Sequence, residues 1–159
     1  MPLRPVAASL ALAATLALAA TLALAATLAL APLAALAGGP KAAIHVDEDN
    51  PATMNMALNN ATNIIRHYAA LGQTATVEIA TYGPGLTMLR KDLSPVADRV
   101  SDLSLSHENL TFSACLNTDE SIMQRTNVEV PLIPEANVVP SGAVRLMGLQ
   151  FEGYAYLRP

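Results

Sequence analysis

From residue 41 onward, short apolar runs alternate with stretches in which apolar residues recur at helical spacing. The apolar runs are short and rich in β-branched and aliphatic side chains, which predicts strands. The five predicted strands cover residues 42–46, 76–82, 110–114, 137–139 and 154–157. Four amphipathic stretches follow the first four strands, so the pattern predicts regular alternation of strand and helix.

Capping residues mark where the predicted helices begin and end. Asn50 and Pro51 supply an N-cap and a proline at the first helical position, and Gly72 ends that helix. Ser94 and Pro95 are read in the same way as the opening of a second helix. The last two helices are predicted over residues 117–125 and 143–152, and residues 128–134 as an irregular connection.

This alternation predicts a single α/β domain, a three-layer sandwich with a mostly parallel sheet of about five strands and helices on both faces. Ligands of such sheets bind outside the carboxyl ends of the strands, near the point where the strand order reverses. The loops at those ends predict a rim whose small or polar residues could contact a ligand. They are Gly83, Gly85, Asn117, Ser141 and Gly142, with Cys115 beside them.

The first 37 residues have a different character. Only Arg4 is charged before Lys41, and the unit Ala-Leu-Ala-Ala-Thr-Leu occurs three times over residues 11–28. Small residues end the segment at Ala37, which is typical of a signal-peptide cleavage site. Cleavage there would leave 159 − 37 = 122 residues, 38–159, as an exported and presumed periplasmic domain. The apolar stretch is also long enough to span a bilayer, so retention as a membrane anchor is the alternative.

Charge and motifs exclude several classes of function. The formal charge of −4 becomes −5 without Arg4, and no basic cluster is present, which argues against nucleic acid as a partner. The segment Gly83-Pro84-Gly85 has neither dinucleotide nor nucleotide-loop spacing, so no cofactor is predicted. Residues 47–49 are acidic but lack calcium-loop spacing, and no metal site is predicted.

Cys115 is the only cysteine, so it cannot form an intramolecular disulfide. It stands where a strand is followed by a helix, a position that can make a thiol more acidic and reactive. The hypothesis is an accessible, acidic thiol at the carboxyl edge of the sheet. The alternative is a buried cysteine that acts as a small apolar side chain. The nearby carboxylates Asp119 and Glu120 would oppose acidity.

Four segments, in order, resemble the DsrE/DsrF-like family. They are residues 81–89 (TYGPGLTML), 112–118 (FSACLNT), 138–144 (VVPSGAV) and 149–159 (LQFEGYAYLRP), the last similar to the end of exported members. The resemblance runs from about residue 41 to the end. It implies the α/β sandwich, assembly as a homotrimer or homohexamer, and a cysteine that carries persulfide sulfur between a donor and an acceptor protein. Cys115 matches that cysteine by position, although Leu116, Asn117 and Thr118 replace the arginine-rich turn of the cytoplasmic members.

Two functions therefore remain open. One is an exported protein that accepts or carries sulfane sulfur on Cys115. The other is a non-catalytic ligand-binding or assembly module of the same fold.

Overall fold

Five strands form one sheet in the order β4-β3-β2-β1-β5, and every pair of neighbours is parallel. This computed structural model describes residues 38–159, so the predictions of a cleaved leader or an anchor lie outside the described residues. The strands are β1 Lys41–Val46, β2 Thr76–Thr81, β3 Leu110–Cys115, β4 Ala136–Val139 and β5 Ala155–Leu157. The fold class predicted from the alternating pattern is confirmed.

Four α-helices and a 3₁₀ helix connect the strands. They are α1 Pro51–Ala70, the 3₁₀ helix Gly83–Leu89, α2 Ala97–Ser106, α3 Leu116–Thr126 and α4 Gly142–Phe151. Asn50 caps α1 as predicted, because its side-chain oxygen accepts hydrogen bonds from the N–H groups of Ala52 and Thr53.

The prediction that Ser94 and Pro95 open α2 is wrong. The helix begins at Ala97, and its N-cap residue, Val96, makes no side-chain cap. The Ser94 hydroxyl instead donates to the carbonyl of Met88 at 2.6 Å, near the end of the 3₁₀ helix. That 3₁₀ helix was not predicted, since residues 83–85 were interpreted only as a tight turn.

The two faces of the sheet differ in size and polarity. The larger face packs against α1, α2 and the 3₁₀ helix, and its centre is Phe112, the largest fully buried side chain. Within residues 38–159, α4 is the helix that covers the other face, where Leu146 and Leu149 pack over Ala43 and Ala80. Three of the buried polar residues are His45, Glu78 and Ser113. Both neighbours of each along its strand belong to the large core, and successive strand residues point to opposite faces, so the three side chains lie on the smaller face.

From β1 to β4 each strand lies beside the one before it, and the order reverses after β4, because β5 pairs with β1 at the other side of the sheet. Ile122 of α3 packs against the large core, whereas α4 packs on the opposite face. The chain therefore leaves β3 toward one face and leaves β4 toward the other, which opens a crevice at the carboxyl ends of these two strands. Cys115 is the last residue of β3, so the fold places it at that crevice.

Within residues 38–159, no helix is long and apolar enough to span a bilayer.

Candidate functional site

The sulfur of Cys115 lies between the N-termini of two helices. Cys115 is the N-cap residue of α3 but makes no side-chain cap hydrogen bond, and the nearby backbone N–H groups of Thr118 and Asn117 lower the pKa of its thiol. Gly142, the first residue of α4, lowers it further through its own backbone N–H. These N–H groups have no partner inside their own helices, and both helix dipoles place positive potential at the sulfur. The arrangement suits a negatively charged sulfur.

The Thr118 hydroxyl joins two of the loops that surround Cys115. It lowers the pKa of the Cys115 thiol as a hydrogen-bond donor, and its oxygen accepts a hydrogen bond from the N–H of Gly83 at 2.9 Å. Gly83 has φ +54, a left-handed conformation that glycine adopts without strain. A third loop is attached through Asn117, whose N–H donates to the carbonyl of Pro140 at 3.2 Å. The loops after β2, β3 and β4 therefore meet at one point.

These contacts decide the acidity of the thiol. Burial raises the pKa of Cys115, but hydrogen bonds from the Thr118 side chain and from the N–H groups of Gly142, Thr118 and Asn117 lower it by more. The pKa of the thiol consequently lies below its ordinary value. Hydrogen bonds to the charged form are the cause, and no lysine or arginine takes part.

The expectation of an accessible thiol is wrong. Cys115 is only 4% exposed. Burial follows from the same contacts that lower the pKa, because the first turn of α3 and the start of α4 close around the sulfur. Only a small reagent can reach it without movement of one of these helices.

A cleft of about 400 Å³ lies next to the cysteine, between the 3₁₀ helix and α3. Thr118 forms part of its wall, and Arg125 lies about two turns further along α3. Seven residues of helix correspond to roughly 10 Å, the length of a small organic molecule. The lining residues are Gly83, Pro84, Thr87, Asn117, Thr118, Ser121, Ile122 and Arg125.

The predicted rim residues separate into different roles. Gly83 and Asn117 line the cleft, and Gly142 contacts the sulfur. Ser141 is the N-cap of α4, with its hydroxyl oxygen accepting from the N–H of Val144 at 3.5 Å. Gly85 is buried against the backbone of β1 and does not reach the cleft, so its role is in packing.

A buried ion pair under α4 was not predicted. Glu78 is 4% exposed, and both of its carboxylate oxygens accept from the guanidinium of Arg145, at 2.8 and 2.6 Å. The Ser113 hydroxyl donates to the same carboxylate at 2.6 Å. The sequence signal was weak, because Glu78 is a single polar residue inside an apolar strand.

A second polar cluster lies at the ends of β1 and β5. His45 is packed and hydrogen-bonded, since its Nδ1 is 2.8 Å from the Tyr156 hydroxyl and its ring stacks on Tyr82. Burial lowers the pKa of His45, although Asp47 opposes this effect, so the ring is neutral at pH 7. Asp47 is bound by Arg158 at 3.0 Å. It is therefore part of an ion pair and not only a solvated turn.

Among the described residues, no group of three or more His, Cys, Asp or Glu side chains is arranged to hold a metal ion.

No protein-family model matches this chain, and no curated protein matches it either. Among solved structures, the chain is similar to MTH1491, a protein of unknown function from Methanobacterium thermoautotrophicum. The two are 28% identical, with a TM-score of 0.64, and the match covers 76% of this chain and 99% of the other. This similarity supports the α/β fold. It indicates no function, because the function of the similar protein is unknown.

Proposed function

We propose that the protein is an exported, DsrE-like carrier of sulfane sulfur, with Cys115 as the acceptor. The observation that carries this proposal is that the starts of α3 and α4 lie beside one buried cysteine, where their N–H groups and the Thr118 side chain lower the pKa of the thiol. Such donors stabilise a thiolate, the form that attacks a sulfur donor. They would stabilise a persulfide anion at the same position.

The proposed step is balanced without an external oxidant. The Cys115 thiolate attacks a terminal sulfane sulfur of an inorganic polysulfide. A new S–S bond forms, one S–S bond of the polysulfide breaks, and the electron pair leaves with the polysulfide that is shorter by one sulfur. Transfer to an acceptor thiolate is the same reaction in reverse. The small exposed fraction of Cys115 favours small donors over protein loops.

Mass spectrometry after exposure to polysulfide tests the carrier function. We expect the folded protein to gain the mass of added sulfur at Cys115 and to lose it on treatment with a thiol. The matched control is Cys115→Ser, which should gain none. If wild-type protein gains no sulfur, the carrier function is refuted and the alternative below replaces it.

The second candidate is a ligand-binding module that takes a small anion in the cleft. It is favoured by the lining, which combines hydroxyl groups with Arg125, a guanidinium that makes no ion pair within residues 38–159. Because Cys115 is outside the cleft lining, Cys115→Ser would leave such binding intact. The same variant would abolish sulfur uptake, so it separates the two functions.

We also propose that the domain self-associates, as a trimer or hexamer, through the outer face of α4. Val144, Met147 and Phe151 follow each other at helical spacing and are 69%, 58% and 83% exposed. The charged residue of this helix, Arg145, turns inward to Glu78, so the outer face carries no charge. Such a face can meet its own copy without repulsion between like charges.

Sedimentation tests this interface. We expect Phe151→Glu to shift the protein to monomers at micromolar concentration, because each copy would bring a charge into an apolar contact. The control is Leu105→Glu on α2, where the side chain is 84% exposed on another helix. A wild-type monomer, or an unchanged assembly in Phe151→Glu, would refute the proposed interface.

A further inference from the structure

Helix α4 supplies one of the N–H groups on Cys115 but has little apolar contact to hold it. Two leucines over two alanines form the buried part of its contact with the sheet, with Tyr82 and Tyr154 at the border. The large core lies on the other face of the sheet. An apolar contact of this size does not by itself determine the position of a helix along the sheet or its rotation about its own axis.

The buried ion pair gives α4 a defined position. Arg145 follows Gly142 by one helical turn and binds both oxygens of Glu78, a two-point contact with directional geometry. Glu78 lies on β2, and its Oε1 also accepts from Ser113 on β3, two residues before Cys115. The network therefore joins α4 to the strand that carries the cysteine.

We propose that Arg145 is a positioning residue for the Cys115 site, and that its ion pair with Glu78 keeps the first turn of α4, which includes Gly142, beside the sulfur. This inference rests on the proposed function only for the chemical role of the Cys115 sulfur. The positioning itself concerns the thiol and can be measured without any sulfur donor.

Packing around Gly142 shows why small movements of α4 matter. A Cβ added at Gly142 would lie 2.8 Å from a ring carbon of Tyr82, so the helix start already touches that ring. Movement of Gly142 toward Tyr82 is blocked, whereas movement of α4 away from the sheet is opposed by Arg145 together with Leu146 and Leu149. The exposed contact from Arg145 to Glu152, at 3.3 Å, ties the guanidinium only to its own helix.

Arg145 does not act on the thiol through its charge. Its guanidinium is paired with the Glu78 carboxylate, and neither group is among the main causes of the pKa shift of Cys115. The carboxylate contacts Ser113, two residues before Cys115, which corresponds to roughly 7 Å along the strand, and there its charge is balanced by that of Arg145. A substitution at Arg145 should therefore alter the acidity of the Cys115 thiol by altering the position of Gly142.

The test is the pH dependence of Cys115 alkylation in the double variant Glu78→Gln/Arg145→Met. The double variant is chosen because Arg145→Met alone would leave a buried carboxylate unpaired, and the glutamine can still accept from Ser113. We expect the midpoint of the rate-versus-pH curve to move to higher pH. At a pH below both midpoints, the thiolate fraction should fall roughly tenfold, the effect of losing one hydrogen bond to a charged acceptor.

Glu152→Gln is the matched control, because it removes the other charge that faces Arg145 and leaves Glu78 bound; its midpoint should not move. Greater access to the sulfur would change the maximal rate and not the midpoint, so the two effects are separable. A folded double variant with an unchanged midpoint would overturn the positioning role. A raised midpoint in a protein that gains no sulfur from polysulfide would refute the carrier function and leave the positioning role standing.

Discussion

Gly85→Ala is expected to lower the free energy of unfolding by about 3 kcal/mol, the upper part of the range for overpacking a rigid site. A Cβ at this position would lie 2.2 Å from the carbonyl oxygen of Val46 and 2.8 Å from Cα of Asp47. Both atoms belong to the backbone at the end of β1, a central strand, so they cannot move aside as a flexible side chain could. Urea unfolding followed by circular dichroism measures the effect.

Gly148→Ala is the matched control for this prediction. Gly148 lies within α4, and an added Cβ would meet nothing within 4 Å. Because alanine favours helix over glycine, this variant should be more stable by about 0.5–1 kcal/mol. Equal stability of the two variants would show that the contact between the 3₁₀ helix and β1 is looser than described.

Thr118→Val is expected to slow alkylation of Cys115 about tenfold at a pH below the midpoint. The valine keeps the shape of the threonine but removes the hydroxyl that donates to the sulfur. A hydrogen bond to a charged acceptor contributes about 1.5–3 kcal/mol, and 1.4 kcal/mol corresponds to a factor of ten. The N–H of Gly83 also loses its acceptor, so a modest loss of stability should accompany the slower reaction.

Thr118→Ser keeps the hydroxyl and should retain most of the wild-type rate. The comparison of valine with serine therefore separates the hydrogen bond from the loss of a methyl group. If both variants react like the wild type, the backbone N–H groups alone determine the acidity, and the assigned role of Thr118 is wrong.

The sequence predicted the elements of this fold well, for physical reasons visible in particular residues. The cap at Asn50, the proline at 51 and the glycine at 72 are local signals, and each acts in the structure where it was expected. Strand and helix periods follow from burial on one face, so all five strands were found. Ser94 failed as a cap because α2 begins at Ala97, so its hydroxyl accepts the N–H of Val96, before the helix, while it donates to the carbonyl of Met88.

The candidate site was predicted only in part. Cys115, Asn117 and Gly142 were identified because strand ends in a parallel sheet meet at one edge. Thr118 was missed, since its role depends on the distant Gly83. The pair of Glu78 and Arg145 is separated by 67 residues and carries no local pattern. Burial of Cys115 also depends on how α4 approaches α3, which sequence spacing does not determine.

Two helix N-termini and the Thr118 hydroxyl make Cys115 an acidic thiol. The most direct test is the rate of alkylation of the folded wild-type protein by a small haloacetamide, measured across pH. Because the pKa of the thiol is lowered, the thiolate should persist below the pH at which an ordinary cysteine is protonated. The rate should then fall as pH drops through this lower midpoint. A midpoint at or above that of the same chain unfolded in urea would contradict the account.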